Sequence, residues 1–254
     1  MAGAALVTGG ARRIGRAIAL ALAARGMAVA IHHNRSGAEA EATAADARAL
    51  GVDATVVQAD LADADAVRSI LPEAARGLGQ PIDVLVNNAS LFERDSVRDV
   101  TVAGFDAHMA INLRAPLLLA QDFAAALPDD RPGNIVNLID QRVWKPTPGF
   151  MSYTLSKSAL LTLTQTLAMA LAPRIRVNGI GPGPVLPNER QTQAQFDRQW
   201  RSTLLQRGAE PEEIADAVLF LLASRSITGQ MIALDGGQFL PWPPLSQSVA
   251  DLDG

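Results

Sequence analysis

Short apolar runs alternate with longer amphipathic ones along almost the whole chain, and few architectures accommodate that rhythm. Residues 4–7 are a strand candidate, followed by a glycine-containing turn and a helix over about 14–25. In that helix Ile14, Ala17, Ile18, Ala21 and Leu22 recur at the 3.6-residue period of a one-sided apolar face. Residues 27–31 then read as a buried strand, 38–50 as a helix, 54–57 as a strand, 63–76 as a helix and 84–86 as a strand. Residues 102–127 read as one long helix, interrupted or bent near Pro116. Segments 135–138, 152–171, 175–180, 211–223 and 231–234 continue the alternation. Short buried strands joined by helix-length crossovers predict an α/β fold, a doubly wound, mostly parallel sheet with helices on both faces.

Two stretches break the rhythm. Residues 181–188 carry proline at three of eight positions and are expected to be irregular. Residues 189–206 are polar and weakly helical, which makes about 183–206 a candidate substrate lid. The expected organisation is one domain over 1–240, lid included, and an extended C-terminal tail over 241–254 containing Pro241-Trp242-Pro243-Pro244. That tail is expected to pack near a neighbouring subunit's site.

Composition narrows the chemistry. There are no cysteines, which excludes disulfides, thiolate metal sites and a cysteine nucleophile. The three histidines, two of them adjacent, make a histidine zinc site improbable, so no metal is expected. A net charge of −4 gives no electrostatic case for nucleic acid or membrane surfaces. No uninterrupted apolar run of about 18 residues appears, so no membrane span is expected and the cytoplasm is the default compartment.

Thr8-Gly9-Gly10-Ala11-Arg12-Arg13-Ile14-Gly15 joins the first strand to the first helix. Such a turn brings backbone N–H groups and a helix N-terminus to a pyrophosphate, although alone it could be an ordinary glycine-rich turn. The end of the second strand has no acid to accept from a ribose 2′-OH; it has His32-His33-Asn34-Arg35-Ser36 instead. With Arg12 and Arg13 nearby, Arg35 suits a 2′-phosphate, so NADP(H) is the expected cofactor unless Arg35 is simply solvated. Asp60-Leu61 either grips the adenine edge or has Asp60 capping the next helix. Asn87-Asn88-Ala89-Ser90 closes the fourth strand, where open α/β sheets bind ligands or merely turn.

The chain's only tyrosine, Tyr153, lies four residues before Lys157, one of only two lysines. On a helix this spacing puts both on one face, and the ammonium is expected to lower the phenol's pKa. The bland reading is a structural tyrosine beside a surface lysine.

The sequence resembles a short-chain dehydrogenase/reductase over about residues 4–240. The matching features are the Thr8–Gly15 turn, Asn87-Asn88-Ala89, Asn112, Tyr153-x-x-x-Lys157, Arg176-Val177-Asn178 with Pro182-Gly183, and Asp235-Gly236-Gly237. The resemblance implies a single-domain Rossmann fold, mostly seven-stranded, and association as a homotetramer or homodimer. It implies Tyr153 as acid/base, Lys157 holding the nicotinamide ribose, and Asn112 supporting a proton-relay water. Cofactor contacts are expected from Gly9, Arg12, Arg13, Ile14, Gly15, His33, Asn34, Arg35, Ser36, Asp60, Leu61, Asn87, Ala89, Ser90, Tyr153, Lys157, Pro182 and Gly183.

Two departures point to a subgroup. Arg13 stands where the common family has glycine, and Asp140 where it has serine. Both resemble the pteridine reductases, as do His32–Ser36, the Asn-Ala-Ser-x-Phe run ending at Phe92, and Pro187-Asn188-Glu189. The resemblance implies substrate contacts from Arg13, Ser90, Phe92, Asp140 and Tyr153, with a pterin-like substrate. A carboxylate is a poor partner for a developing alkoxide, and suits a substrate that presents N–H donors or needs a ring nitrogen protonated. In a closed pocket its pKa is expected to rise. The bland readings are that Asp140 merely pairs with Arg142 or caps a turn, and that Phe92 is plain core or lid. Glu93-Arg94-Asp95 reads as solvated charge. The competing functions are reduction of another polar carbonyl or imine, and a non-catalytic NADP-binding protein.

Overall fold

In the computed structural model, which describes residues 3–187 and 191–240, one seven-stranded parallel sheet runs in the order β3-β2-β1-β4-β5-β6-β7. The strands are β1 (Ala4–Val7), β2 (Ala28–His33), β3 (Ala54–Gln58), β4 (Val84–Asn87), β5 (Gly133–Leu138), β6 (Ile175–Pro182) and β7 (Met231–Leu234). The order reverses direction at β1, which pairs with β2 on one side and β4 on the other. That divergence opens a crevice at the carboxyl ends of the strands, the place where such sheets bind ligands.

Strand alternation divides the core in two. Ala5 and Val7 face a layer containing α1 (Arg13–Ala24), α2 (Gly37–Ala49) and α8 (Pro211–Ala223). Ala4 and Leu6 face the opposite layer, with α3 (Ala64–Leu78), α5 (Ala115–Ala126) and α6 (Met151–Leu171). Each fully buried Leu or Ile along these strands contributes about 1.5–3 kcal/mol. The sheet is therefore a rigid platform for its carboxyl edge. Among the described residues, no helix is long and apolar enough to cross a membrane.

The expected long helix over 102–127 is two α-helices, α4 (Val102–Met109) and α5, joined by a π turn at Ala110–Arg114. Ala115 N–H donates to the Ala110 carbonyl, five residues back. Pro116 explains the change of winding, because it has no N–H to give the Asn112 carbonyl.

The expected irregular stretch from Gly181 also needs correction, since β6 continues through Pro182. Gly179 and Gly183 donate toward β7, so Pro182 turns its donor-less nitrogen toward β5. The β5 ladder has already ended there, at Leu138↔Ile180, and the ring costs no hydrogen bond. β2 likewise runs two residues beyond its expected end, to His33.

Candidate active site

The turn after β1 is held by side chains on both sides. His32 Nδ1 accepts from Gly9 N–H (3.2 Å), and its Nε2 faces the Ala59 carbonyl (3.2 Å), which fixes the Nε2–H tautomer. Burial lowers the His32 pKa to about 4, so the acceptor persists at neutral pH. Asn88 N–H donates to Thr8 Oγ1 (2.9 Å), and its side-chain amide donates to the Thr8 (2.9 Å) and Gly9 (3.2 Å) carbonyls. Neither His32 nor Asn88 was expected among the contact residues; their signal is position, at the ends of strands flanking the switch point. Gly15 permits the close approach, since a Cβ there would lie 2.1 Å from the Gly9 carbonyl oxygen.

Arg13 has φ +55, the left-handed region. That is why glycine is usual at this position, and an arginine there costs about 1 kcal/mol. Its guanidinium reaches the Pro187 (3.0 Å) and Leu186 (3.4 Å) carbonyls.

A groove of about 720 Å³ runs from this turn over the end of β2. Gly9, Arg12, Arg13, Ile14, Gly15, His33, Asn34, Arg35, Ser36, Asp60, Leu61, Ala89 and Ser90 line it, together with Asn88. His33 Nδ1 is buried in its wall without a partner among the described residues. Asp60 accepts from Ala62 N–H (2.9 Å), while the cap of α3 is Asp63. Asn87 lines neither this groove nor the cavity beside it; its amide turns into the core and donates to Asn137 Oδ1 (2.8 Å).

The neighbouring cavity, about 280 Å³, shares Arg13, Ile14, Asn88 and Ser90 with the groove. It brings together Phe92, Asp140, Tyr153, Lys157, Pro182 and Gly183. Tyr153 hydroxyl donates to Asp140 Oδ2 (2.8 Å), and Asp140 Oδ1 accepts from Arg142 N–H (2.8 Å), capping a short 3₁₀ turn at Gln141–Val143. Both roles weighed for Asp140, turn cap and partner of the tyrosine, are present together. Lys157 Nζ donates to the Leu138 carbonyl at the end of β5 (2.7 Å).

Electrostatics differ from the sequence expectation at the tyrosine. Burial and the adjacent Asp140 raise the Tyr153 pKa well above the ordinary phenol value, and the opposing effects of Arg142 and Ser90 are smaller. Lys157 was expected to lower it, but its ammonium lies 5.7 Å from the ring centroid and bonds a carbonyl instead. Burial brings Lys157 itself down to about 8, partly opposed by Asp140. Burial also raises the Asp140 carboxyl, against the Arg142 N–H, the Tyr153 hydroxyl and two nearby cations. The site is a phenol that burial and a neighbouring carboxyl keep protonated, and burial strengthens that carboxyl's own hold on a proton.

Asn112, in the π turn, is buried and lines neither space. Its Oδ1 accepts from Leu91 N–H (2.8 Å) and Ser90 hydroxyl (3.2 Å), and its amide donates to the Leu91 carbonyl and Ser156 hydroxyl (both 3.0 Å). It ties the loop after β4 to α6. Phe92, on that loop, stacks on Phe150 (4.5 Å, 3°) and meets the Tyr153 ring edge-on (4.7 Å, 77°). One face of Phe92 is thus already covered by protein.

Asp95, expected to be solvated charge, instead has a structural task. Its carboxylate accepts from the backbone N–H of Ser152 (3.2 Å to each oxygen) and from the Ser152 hydroxyl. Phe150, at the N-cap, has φ +60 and no side-chain acceptor, so Asp95 caps the helix carrying Tyr153 from another part of the chain. Asp95→Ala is expected to cost about 1–2 kcal/mol. Thermal unfolding checks this, at about 2–4 °C in Tm per kcal/mol for a chain of this size.

The lid candidate contains α7 (Gln193–Arg201), started by a Thr192/Gln195 capping box. Phe196 is buried and Trp200 Nε1 donates to the Pro184 carbonyl (2.7 Å), which seats α7 against the cavity that Phe196 and Gln199 line. Asn188, Glu189 and the 241–254 tail lie outside the described residues.

The family model described as "Enoyl-(Acyl carrier protein) reductase" matches residues 9–238. The FolM alternative dihydrofolate reductase 1 of Brucella canis, crystallised with NADP, is 54 % identical with a TM-score of 0.91, covering 94 % of this chain and 95 % of its own. Pteridine reductase 1 of Leishmania tarentolae is 34 % identical over 277 residues, covering 93 % of this chain and 96 % of its own. A 3-oxoacyl-[acyl-carrier-protein] reductase of Staphylococcus aureus is also 34 % identical, over 243 residues, covering 93 % of this chain and 98 % of its own.

Proposed function

Because the chain belongs to the short-chain dehydrogenase/reductase family, in its pteridine reductase-like subgroup, we propose that it reduces a dihydropterin at a ring C=N bond. It is an NADP-dependent oxidoreductase, and its cofactor is NADP(H). The groove fits that cofactor: the glycine turn offers N–H groups at a helix N-terminus, and Arg35, Ser36 and the unpartnered His33 Nδ1 line the other end. Lys157 and Tyr153 would hold the nicotinamide ribose, and Gly183 and Pro182 would close over the ring. When bound, NADPH supplies the hydride.

The observation that carries the reading is the 2.8 Å bond from Tyr153 to a buried Asp140. Hydride addition to a C=N carbon leaves an electron pair on nitrogen that must take a proton. The Asp140–Tyr153 pair holds two exchangeable protons when the carboxyl is protonated, and one of them passes to that nitrogen. A serine here would favour a carbonyl oxygen; a carboxylate opposes an alkoxide. That difference favours pterin over the oxoacyl chemistry of the S. aureus relative. Exposed apolar Leu117, Leu155 and Met169 on α5 and α6 support association into a symmetric oligomer.

The test is NADPH oxidation with dihydrobiopterin, dihydromonapterin and dihydrofolate, beside a panel of carbonyls and imines. Turnover of at least one pterin is expected. Turnover of a carbonyl alone, unaffected by Phe92→Ala, makes the protein a carbonyl reductase, and NADPH binding without any turnover makes it non-catalytic. In the same assay Arg35→Asp is expected to raise the KM for NADPH at least tenfold relative to NADH, since a guanidinium–phosphate contact becomes a like-charge one.

A further inference from the structure

We infer that Arg142 receives the negative charge of a substrate side chain, and so sets how far the site discriminates between carboxylate-bearing and uncharged dihydropterins. The inference rests on the pterin reading above and assigns the outer end of the same cavity.

The described lining of that cavity carries three cations, Arg13, Arg142 and Lys157, against a single carboxylate, Asp140. Two of the cations are committed, Lys157 to the Leu138 carbonyl and Arg13 to the carbonyls of Leu186 and Pro187. Asp140 is committed as well, one oxygen to Tyr153 and the other to the Arg142 backbone N–H.

The Arg142 guanidinium lies near Asp140 but is not paired with it. It donates to Thr147 Oγ1 (2.7 Å), lies 5.0 Å over the Phe150 ring, and forms no ion pair with a carboxylate among the described residues. The hydroxyl uses one of five donors and the ring uses the guanidinium face, so both contacts fix the group in place and leave its fork for a carboxylate. Phe150 stacks on Phe92, which meets Tyr153. One aromatic wall therefore runs from the reacting hydroxyl to the cation. Gln191, Gln199 and Gln238, also in the lining, are neutral and add no competing charge.

The experiment compares kcat/KM for dihydrofolate, which carries carboxylates, with that for dihydrobiopterin, which carries none. Arg142→Gln is expected to reduce the dihydrofolate-to-dihydrobiopterin ratio of the wild type at least tenfold. Arg142→Lys is expected to recover part of that loss. Effects through Asp140 or the cofactor fall on both substrates and cancel in the ratio. The wild type supplies a second readout: raising ionic strength should increase the KM for dihydrofolate more than that for dihydrobiopterin. A ratio unchanged in Arg142→Gln, or equal salt responses, overturns the assignment even if both pterins turn over. No turnover of either pterin by the wild type overturns the parent reading and the assignment with it.

Discussion

Tyr153→Phe is expected to lower kcat for dihydropterin reduction by about 100- to 10,000-fold, the range for removing a positioned general acid. The ring remains, so its edge contact with Phe92 (4.7 Å) and the packing of α6 should survive. NADPH affinity, measured by fluorescence titration, should fall far less than kcat. A comparable fall in both would mean that the hydroxyl holds the cofactor rather than moves a proton. Loss also extends to Asp140, whose Oδ2 forfeits its donor in a buried setting.

Asp140→Asn is the second large effect, about 100-fold or more in kcat/KM for the pterin, because the amide accepts hydrogen bonds but cannot return a proton. It also has a spectroscopic signature. Tyr153 is the only tyrosine in the chain, so phenolate absorbance reports one group. The Asp140 charge raises the Tyr153 pKa, and removing it should let the phenolate form at lower pH than in the wild type. An unchanged or higher ionisation pH would show that the two side chains are not coupled.

The pH dependence follows from the same groups. Activity is expected to need the Lys157 ammonium, the form favoured as pH falls. Lys157, brought down to about 8, sets an alkaline limb in which activity is present below that pH and lost as pH rises through it. In Asp140→Asn the limb of the residual activity should move to lower pH, since the charge that favours the ammonium is gone.

The sheet was legible from the spacing of apolar runs, because buried parallel strands and crossover helices leave that trace. The chemical pair was legible because one tyrosine and two lysines leave little room for coincidence. The direction of the Tyr153 shift was not. Spacing shows that a cation is near, but burial and hydrogen-bond geometry decide which neighbour dominates. Asp95 was invisible as a cap for a similar reason, since it lies 57 residues from the helix it serves. Asn87 and Asn88 are adjacent and alike in type; only the end of β4 determines which turns inward.

The π turn at Ala110–Arg114 holds one residue more than an α turn would. Deleting a single residue there would restore regular winding with the flanking helices nearly in phase, but would remove the wide turn that carries Asn112. Asn112 could not then keep its bonds to both Leu91 and Ser156, so a length change harmless in a surface loop would dismantle the scaffold here. Relatives that share this architecture should therefore conserve the number of residues between these helices more strictly than their identities.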